Sequence, residues 1–367
     1  MSELNVIIGA QYGDEGKGKF TDIFAEQNDI TARFCGGANA GHSIHHNGTL
    51  YKLHQVPSSL VRGKIGVIGN GVVLNPITLL DEIETLRGQG LTINETNLKI
   101  SEKAHLILPE HIEKESSETS KKIGTTGKGI GYAYSDKMLR TNLRAESFLT
   151  PNKTPFPEIA KYFAPYLVKN YTSQMLEAGQ TVLAEGAQGT MLDIDHGSYP
   201  FVTSSNTTIG GVLSGLGVNH HYLNRVIGIS KGYLTRVGNG GMKTELDGEL
   251  ANHFVTVGKE FGVTTGRQRR VGWLNLDELK YACELNGFTE LILTKLDVMS
   301  GLDTVDVYLN DQHVTFEGWG DISEIRQWGD LPDSVMDYVW FIEDVCDVNV
   351  SYISVGPERE AVIEVKR

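Results

Sequence analysis

Short apolar runs at 6–10, 66–68, 181–184, 226–229 and 290–294 alternate along the chain with segments of helical character at 20–27, 76–88, 156–178, 274–286 and 332–345. Several of the helical segments open on Pro or are followed by Gly, which are ordinary start and stop signals. Strands alternating with helices predict an α/β fold with a large, mostly parallel central sheet flanked by helices. No fixed-period repeat or low-complexity tract interrupts the pattern. The polar stretch 110–122 and the Pro-rich stretch 150–157 read as surface connections, too short and unbiased for flexible linkers. The expectation is one continuous domain over residues 1–367 with helical and loop excursions.

Composition narrows the class. A formal charge of −13 repels nucleic acid and anionic membrane on average, so neither is expected as a partner. A phosphate site must therefore gather its own cations, and Lys17, Lys19, Arg140, Lys295, Arg267, Arg269 and Arg270 are the candidates. With no long uncharged apolar stretch and no basic-then-apolar start, a cytoplasmic location is expected. Cys35, Cys283 and Cys346 are odd in number and far apart, and read as buried or free thiols.

The chemistry concentrates in segments too polar for core. Residues 11–19, Gln-Tyr-Gly-Asp-Glu-Gly-Lys-Gly-Lys, lie between a strand-like and a helix-like run. That arrangement aims backbone N–H groups at a phosphate. Gly13, Gly18 and Lys19 match the start of a P-loop, but Phe20 stands where a hydroxyl should hold magnesium. An acid inside the turn can replace that oxygen, and Asp14 is placed to act as a base beside a phosphoryl transfer. Without other support, the same residues read as a glycine-rich turn carrying solvated charge.

Four further segments point the same way. Residues 36–43 set small residues around Asn39 and His42, and His42 could act as a general acid. His45, His46, His220 and His221 read as surface or capping residues. Residues 123–131 offer hydroxyls, Thr126 among them, and N–H groups suited to a monophosphate. Residues 185–189 follow a strand and place Gln188 where α/β sheets bind ligands. Asp193, Asp195 and His196 could mimic a metal triad, but a hydrogen-bonded turn is expected. In residues 263–270, Arg267 and Arg269 would point the same way on an extended segment and suit a dicarboxylate, a nucleic-acid patch being the competing reading. Finally, 291–297 is a strand ending in Lys295-x-Asp297, and a carboxylate so placed can accept the N1–H and N2–H of guanine.

Taken together these motifs resemble the adenylosuccinate synthetase family from Val6 to Glu358. GDEGKGK, NAGH, IGTTGKGIG, the long stretch 185–208, TTGR and TKLD occur in the family's order. The resemblance implies a P-loop-related α/β fold and a magnesium-dependent homodimer. It also implies a ligase that uses GTP to join L-aspartate to the 6-position of inosine monophosphate (IMP) through a 6-phosphoryl intermediate. It carries catalysis to Asp14, His42 and Gln188, and magnesium binding to Asp14 and Gly41. Asn39, Thr126, Arg140, Gln188, Thr203 and Val237 would hold the purine nucleotide, with Arg140 reaching across the dimer. Thr265, Arg267 and Arg269 would bind aspartate. GTP would meet Gly13, Glu15, Gly16, Lys17, Gly18, Lys19, Lys295, Asp297, Ser354 and Gly356.

The chain departs from the family pattern by being shorter after Leu149 and after Val307. It also carries Tyr132 where proline is usual, Gln268 within the arginine run, and an altered stretch at 239–243 near the ribose. An alternative is therefore the phage-type relative that acts on dGMP with ATP or dATP. A GTP-binding switch is the alternative of another class, opposed by Asp14, His42 and the arginine pair.

Overall fold

The strand Glu3–Gly9 lies inside a ten-stranded sheet and is buried over its last six residues. The computed structural model describes residues 2–115, 124–262, 266 and 268–366. From one edge the strands run Val362–Glu364, Val350–Ser354, Glu290–Thr294, Leu223–Lys231, Glu3–Gly9, Thr181–Glu185, Ile30–Arg33, Ile65–Ile68, Leu98–Ser101 and Leu167–Val168. Every pairing is parallel except that of Val362–Glu364 at the edge. The α/β expectation and all five expected strands are met in this sheet. A parallel sheet needs cover on both faces, which is why its strands read as apolar runs instead of alternating ones.

Helix starts follow local chemistry. Pro76–Gly88 begins where expected, with Asn75 accepting from the N–H groups of Ile77 (3.1 Å) and Thr78 (3.2 Å). Leu276–Asn286 starts later than the periodicity implied. Residues 274 and 275 finish the strand Arg270–Asn275, and Asn275 then caps the helix by accepting from Asp277 (3.1 Å) and Glu278 (3.3 Å). The helix expected over 156–178 is broken. Pro157–Phe163 passes into a tight turn at Ala164–Tyr166, the strand Leu167–Val168 joins the sheet, and Tyr171–Glu177 resumes the helix. Pro165 has no N–H to continue the ladder, and Asn170, at φ 49°, turns the chain into the second helix.

A second sheet escaped the sequence pattern: Tyr233–Arg236, Arg270–Asn275, Thr304–Leu309 and Gln312–Glu317. The last two form a hairpin through Asn310 (φ 51°) and Asp311 (φ 59°). Two left-handed residues make the two-residue hairpin turn, and the polar, largely exposed final strand gives no apolar signal.

The loop after the first strand is built around a buried acid. Glu15 is wholly buried and accepts from the backbone N–H of Gln11 (3.1 Å) and Gly13 (2.8 Å) and from Lys17 Nζ (2.5 Å). Gly13 and Gly16 take φ of 86° and 91°, and Asp14 is left-handed at 60°. The Gln11 amide donates to the carbonyls of Lys231 (3.1 Å) and Tyr233 (3.2 Å), fastening the loop to the neighbouring strand. The glycine that ends the first strand is also required, since a Cβ on Gly9 would lie 2.5 Å from the Glu15 carboxylate. Gly9→Ala should therefore cost about 1–3 kcal/mol, read as a lower urea midpoint. An unchanged midpoint would mean that the loop yields freely around Glu15.

Candidate functional site

The loops that follow the parallel strands Glu3–Gly9, Ile30–Arg33, Thr181–Glu185, Glu290–Thr294 and Val350–Ser354 meet at one edge of the sheet and enclose a cleft of about 640 Å³. Of the residues predicted from sequence, Gly13, Asp14, Gly16, Lys17, Gly18, Lys19, Asn39, Gly41, His42, Thr126, Gln188, Thr203, Val237, Arg269, Lys295, Asp297, Ser354 and Gly356 all line it. Thr265 and Arg267 lie outside the described residues. Glu15 and Arg140 do not line the cleft. Glu15 turns its side chain inward to hold its own loop, so the expected contact with a nucleotide falls to its backbone N–H. Arg140 ends the helix Ile130–Leu139 in a left-handed conformation (φ 65°), exposed beside Met138 and Leu139.

At one end of the cleft, Asp297 follows the strand Glu290–Thr294. Its Oδ1 is buried with no hydrogen-bond partner among the described residues. Burial raises the pKa of this carboxyl, opposed by the charges of Lys295 and Lys19. An unsatisfied buried acceptor is rare, and a ligand offering N–H groups would satisfy it. Lys295 sends its ammonium to the Gly258 carbonyl (2.7 Å) and Glu260 Oε1 (2.6 Å). Lys19 donates to Ser354 Oγ (2.8 Å) and to the carbonyls of Gly356 (2.9 Å) and Ala361 (3.0 Å), so it braces this end of the cleft. Burial brings its pKa down to about 8, although Asp297 pulls the other way.

In the middle of the cleft, the strand Thr181–Glu185 ends in an acid that organises the histidine. His42 Nδ1 meets Glu185 Oε1, and Glu185 also accepts from Ser58 N (2.9 Å) and Ser58 Oγ (2.7 Å). Burial would raise the Glu185 pKa, but the charges and hydrogen bonds of His42, Arg33 and Ser58 hold it at about 2. Burial lowers that of His42 despite Glu185. The pair is thus an ionised carboxylate facing an imidazole N–H, which leaves Nε2 for the cleft. The stability gained by Glu185 is fully present above its ordinary value of 4.5 and is lost as pH falls through about 2. Gln188, on the next turn, is left-handed (φ 56°) with its Oε1 buried and unpartnered among the described residues. Strain of this kind is typical of ligand-facing positions.

Farther along, Arg269 Nε pairs with Asp14 Oδ2 at 2.8 Å and its Nη1 with Glu260 Oε2 at 2.6 Å. Arg269 is thus engaged by two protein carboxylates, one of which faces the cleft. Arg236 stacks 4.5 Å above the Tyr12 ring and donates to Ser198 Oγ (3.0 Å) and to the carbonyls of Phe201 (3.1 Å) and Gly241 (2.8 Å). It braces the turns that carry Thr203 and the altered stretch at 239–243. Asp193 accepts from the N–H groups of Asp195 (2.9 Å), His196 (3.1 Å) and Thr207 (2.6 Å), the turn expected in preference to a metal triad.

Sequence reasoning missed Ser58, Glu260 and Arg236, and passed over Glu185 while naming its motif. For Glu185 a signal existed, an acid closing an apolar strand; Glu260, beside Lys259, resembles ordinary surface charge.

Comparison with known proteins adds to this geometry. The family profile described as adenylosuccinate synthetase matches residues 6–165, 155–313 and 308–363. The chain is 42% identical to the adenylosuccinate synthetase of Salinibacter ruber over 429 aligned positions, covering 98% of each chain. It is 41% identical to that of Thermus thermophilus, covering 96% of this chain and 97% of the relative. The Salinibacter alignment is longer than the 367 residues here, as internal shortening requires. Among solved structures, a fully ligated adenylosuccinate synthetase from Plasmodium falciparum superposes with a TM-score of 0.91 at 36% identity, covering 100% of both chains. The cyanophage S-2L succinoaminodeoxyadenylate synthetase, bound to dGMP and dATP, gives 0.73 at 20% identity over 100% of this chain and 96% of its own, a likeness of fold.

Glu185→Gln should lower kcat by roughly 10²- to 10⁴-fold with little change in nucleotide KM, because an amide can hold the wrong imidazole tautomer. Steady-state kinetics check this, and an unaltered kcat would remove Glu185 from the orientation of His42.

Proposed function

The chain belongs to the adenylosuccinate synthetase family, and from that premise we propose that this cleft joins L-aspartate to C6 of IMP with GTP as phosphoryl donor. The family are ligases that form a C–N bond. The observation that carries the choice of donor is the buried Oδ1 of Asp297, unpartnered among the described residues, in the same cleft as Asp14 and His42. Guanine presents N1–H and N2–H to such a carboxylate, whereas adenine presents a lone pair.

In the proposed reaction, Asp14 takes the N1 proton of IMP, and O6 attacks the γ-phosphorus of GTP as the bond to the β-phosphate oxygen breaks. His42 lies where it can meet charge on the transferring group, held by Glu185. The amine of aspartate then attacks C6, loses a proton, and phosphate leaves with O6. Phosphorylation is needed because a lactam oxygen is otherwise a poor leaving group. Asn39, Thr126, Gln188, Thr203 and Val237 hold IMP. The N–H groups of 13–18, at the start of the helix Lys17–Ala25, receive the phosphates of GTP, and Lys295, Asp297, Ser354 and Gly356 frame its base. Thr265, Arg267 and Arg269 take the aspartate carboxylates, which at Arg269 compete with Asp14.

One carboxylate, Asp14, with the Gly41 carbonyl suits magnesium, which takes few protein ligands and the rest from phosphate and water, and which would neutralise phosphate charge there. No group of three His, Cys, Asp or Glu that could hold a metal ion occurs among the described residues. The whole chain acts as one catalytic domain in a cytoplasmic homodimer, with Arg140 reaching the partner's nucleotide. No described helix is long and apolar enough to cross a membrane.

A turnover panel of IMP and dGMP against GTP, ATP and dATP, each with and without aspartate, tests the reading. Succinyl-purine should form from IMP and GTP, with GTP preferred over ATP by up to roughly 10⁴-fold in kcat/KM and the preference eroded in Asp297→Asn. Equal use of ATP or dATP would overturn the guanine assignment, and turnover of dGMP instead of IMP would overturn the acceptor.

The shared site has its own test. Asp14→Asn and Arg140→Leu should each be nearly inactive, yet an equimolar exchanged mixture should recover roughly a quarter of wild-type activity, since each mixed dimer carries one intact site. No recovery despite subunit exchange would place Arg140 outside the partner's site.

A further inference from the structure

Among the groups the reaction leaves unused, the carboxylate of Glu260 has the largest share of the cleft's cations. It follows the helix Gly248–Val257, on the turn whose Val257 and Gly258 line the cleft. Glu260 itself is wholly buried. Its Oε1 accepts from Tyr233 OH (2.5 Å) and Lys295 Nζ (2.6 Å), with Lys231 Nζ at 3.8 Å, and its Oε2 accepts from Arg269 Nη1 (2.6 Å). Tyr233 and Lys231 are buried as completely. One rigid carboxylate thus separates two cleft-lining cations that belong to different ends. Lys295 stands two residues from Asp297, and Arg269 reaches Asp14. An unbroken chain of charged contacts runs Lys295, Glu260, Arg269, Asp14 across the floor of the cleft.

We propose that Glu260 is a positioning residue that fixes Lys295 and Arg269 against each other, so that recognition of the donor base and of the dicarboxylate substrate is coupled through it. The physical reason is geometric. Each oxygen of the carboxylate takes one of these cations, and the carboxylate is planar. A rotation that improves the bond to Lys295 therefore moves the acceptor of Arg269. Tyr233 and Lys231, packed at Oε1, limit that rotation to small angles, so the two ends respond together. Two cations held by one buried acceptor are also expected to be non-additive, because loss of either leaves its partner with the whole carboxylate. Glu260 touches no reacting atom in this arrangement, and its charge is already matched by its neighbours. Burial raises its pKa, but Lys231, Lys295 and Arg269 overcome this and hold it at about 2, so the carboxylate stays ionised throughout the working range.

The inference rests on the proposed placement of the donor base at Lys295 and of aspartate at Arg269, and the test separates the two. Lys295→Met and Arg269→Lys are made singly and together in the full-length chain, and KM for GTP and for aspartate are measured for each. If the placement holds, Lys295→Met raises KM for GTP and Arg269→Lys raises KM for aspartate. Failure of these single effects overturns the placement. If Glu260 couples them, each single change also raises the other substrate's KM at least roughly threefold, and the double variant falls short of the product of the two by at least roughly fivefold. Single effects confined to their own substrate, with strict multiplicativity in the double variant, overturn the coupling. Glu260→Gln, where it folds, should raise both KM values more than it lowers kcat and abolish the non-additivity. Persistence of the non-additivity in that background would place the coupling elsewhere.

Discussion

Parallel pairing is the constraint from which the rest follows. Because the strands flanking Glu3–Gly9 all run in its direction, each chain reversal that follows one falls at the same edge, and residues far apart in sequence meet there. Asp14, Gln188, Lys295 and Ser354 come from four different strand ends. Burial of the first strand on both faces fixes its register against its neighbours, and so fixes where its loop begins. The loop cannot then wander, since Glu15 ties two of its N–H groups and Gly9 leaves room for nothing larger than hydrogen.

An acidic chain has to make an anion-binding cleft out of few cations, and each cation in it is balanced differently. Lys17 has Glu15, Lys295 has Glu260, and Arg269 is divided between Glu260 and Asp14. Lys19 relies on two carbonyls and a hydroxyl, which is why its burial shows as a lowered pKa. Pairing these cations with fixed acids, or for Lys19 with fixed carbonyls, keeps the side chains in one rotamer. A phosphate or carboxylate then meets donors that need little reordering.

Much of this was legible beforehand. Buried strands and capped helices carry their own local signals, so the sheet and the loop at 11–19 followed from spacing, while Gly41, Thr203, Val237, Ser354 and Gly356 came only with the family resemblance. The broken helix at 156–178 did not, because apolar spacing continues across Pro165 while the backbone cannot. The second sheet did not either, since Gln312–Glu317 is paired by a turn and not by an apolar face. Ser58 and Glu260 were invisible for a further reason. Their significance lies in side-chain partners, Glu185 for Ser58 at 127 residues away and Tyr233, Arg269 and Lys295 for Glu260 at up to 35, and no local pattern records such contacts.

Asp297 gives the cleft a lasting thermodynamic character. Its buried oxygen, without a donor among the described residues, opposes folding, since water would satisfy it in the unfolded chain. On the proposed placement of guanine, part of the affinity for the donor base is relief of a penalty already present in the fold. An apolar residue at this position would make the protein more robust and its cleft indifferent. On that placement, the carboxylate trades stability for discrimination.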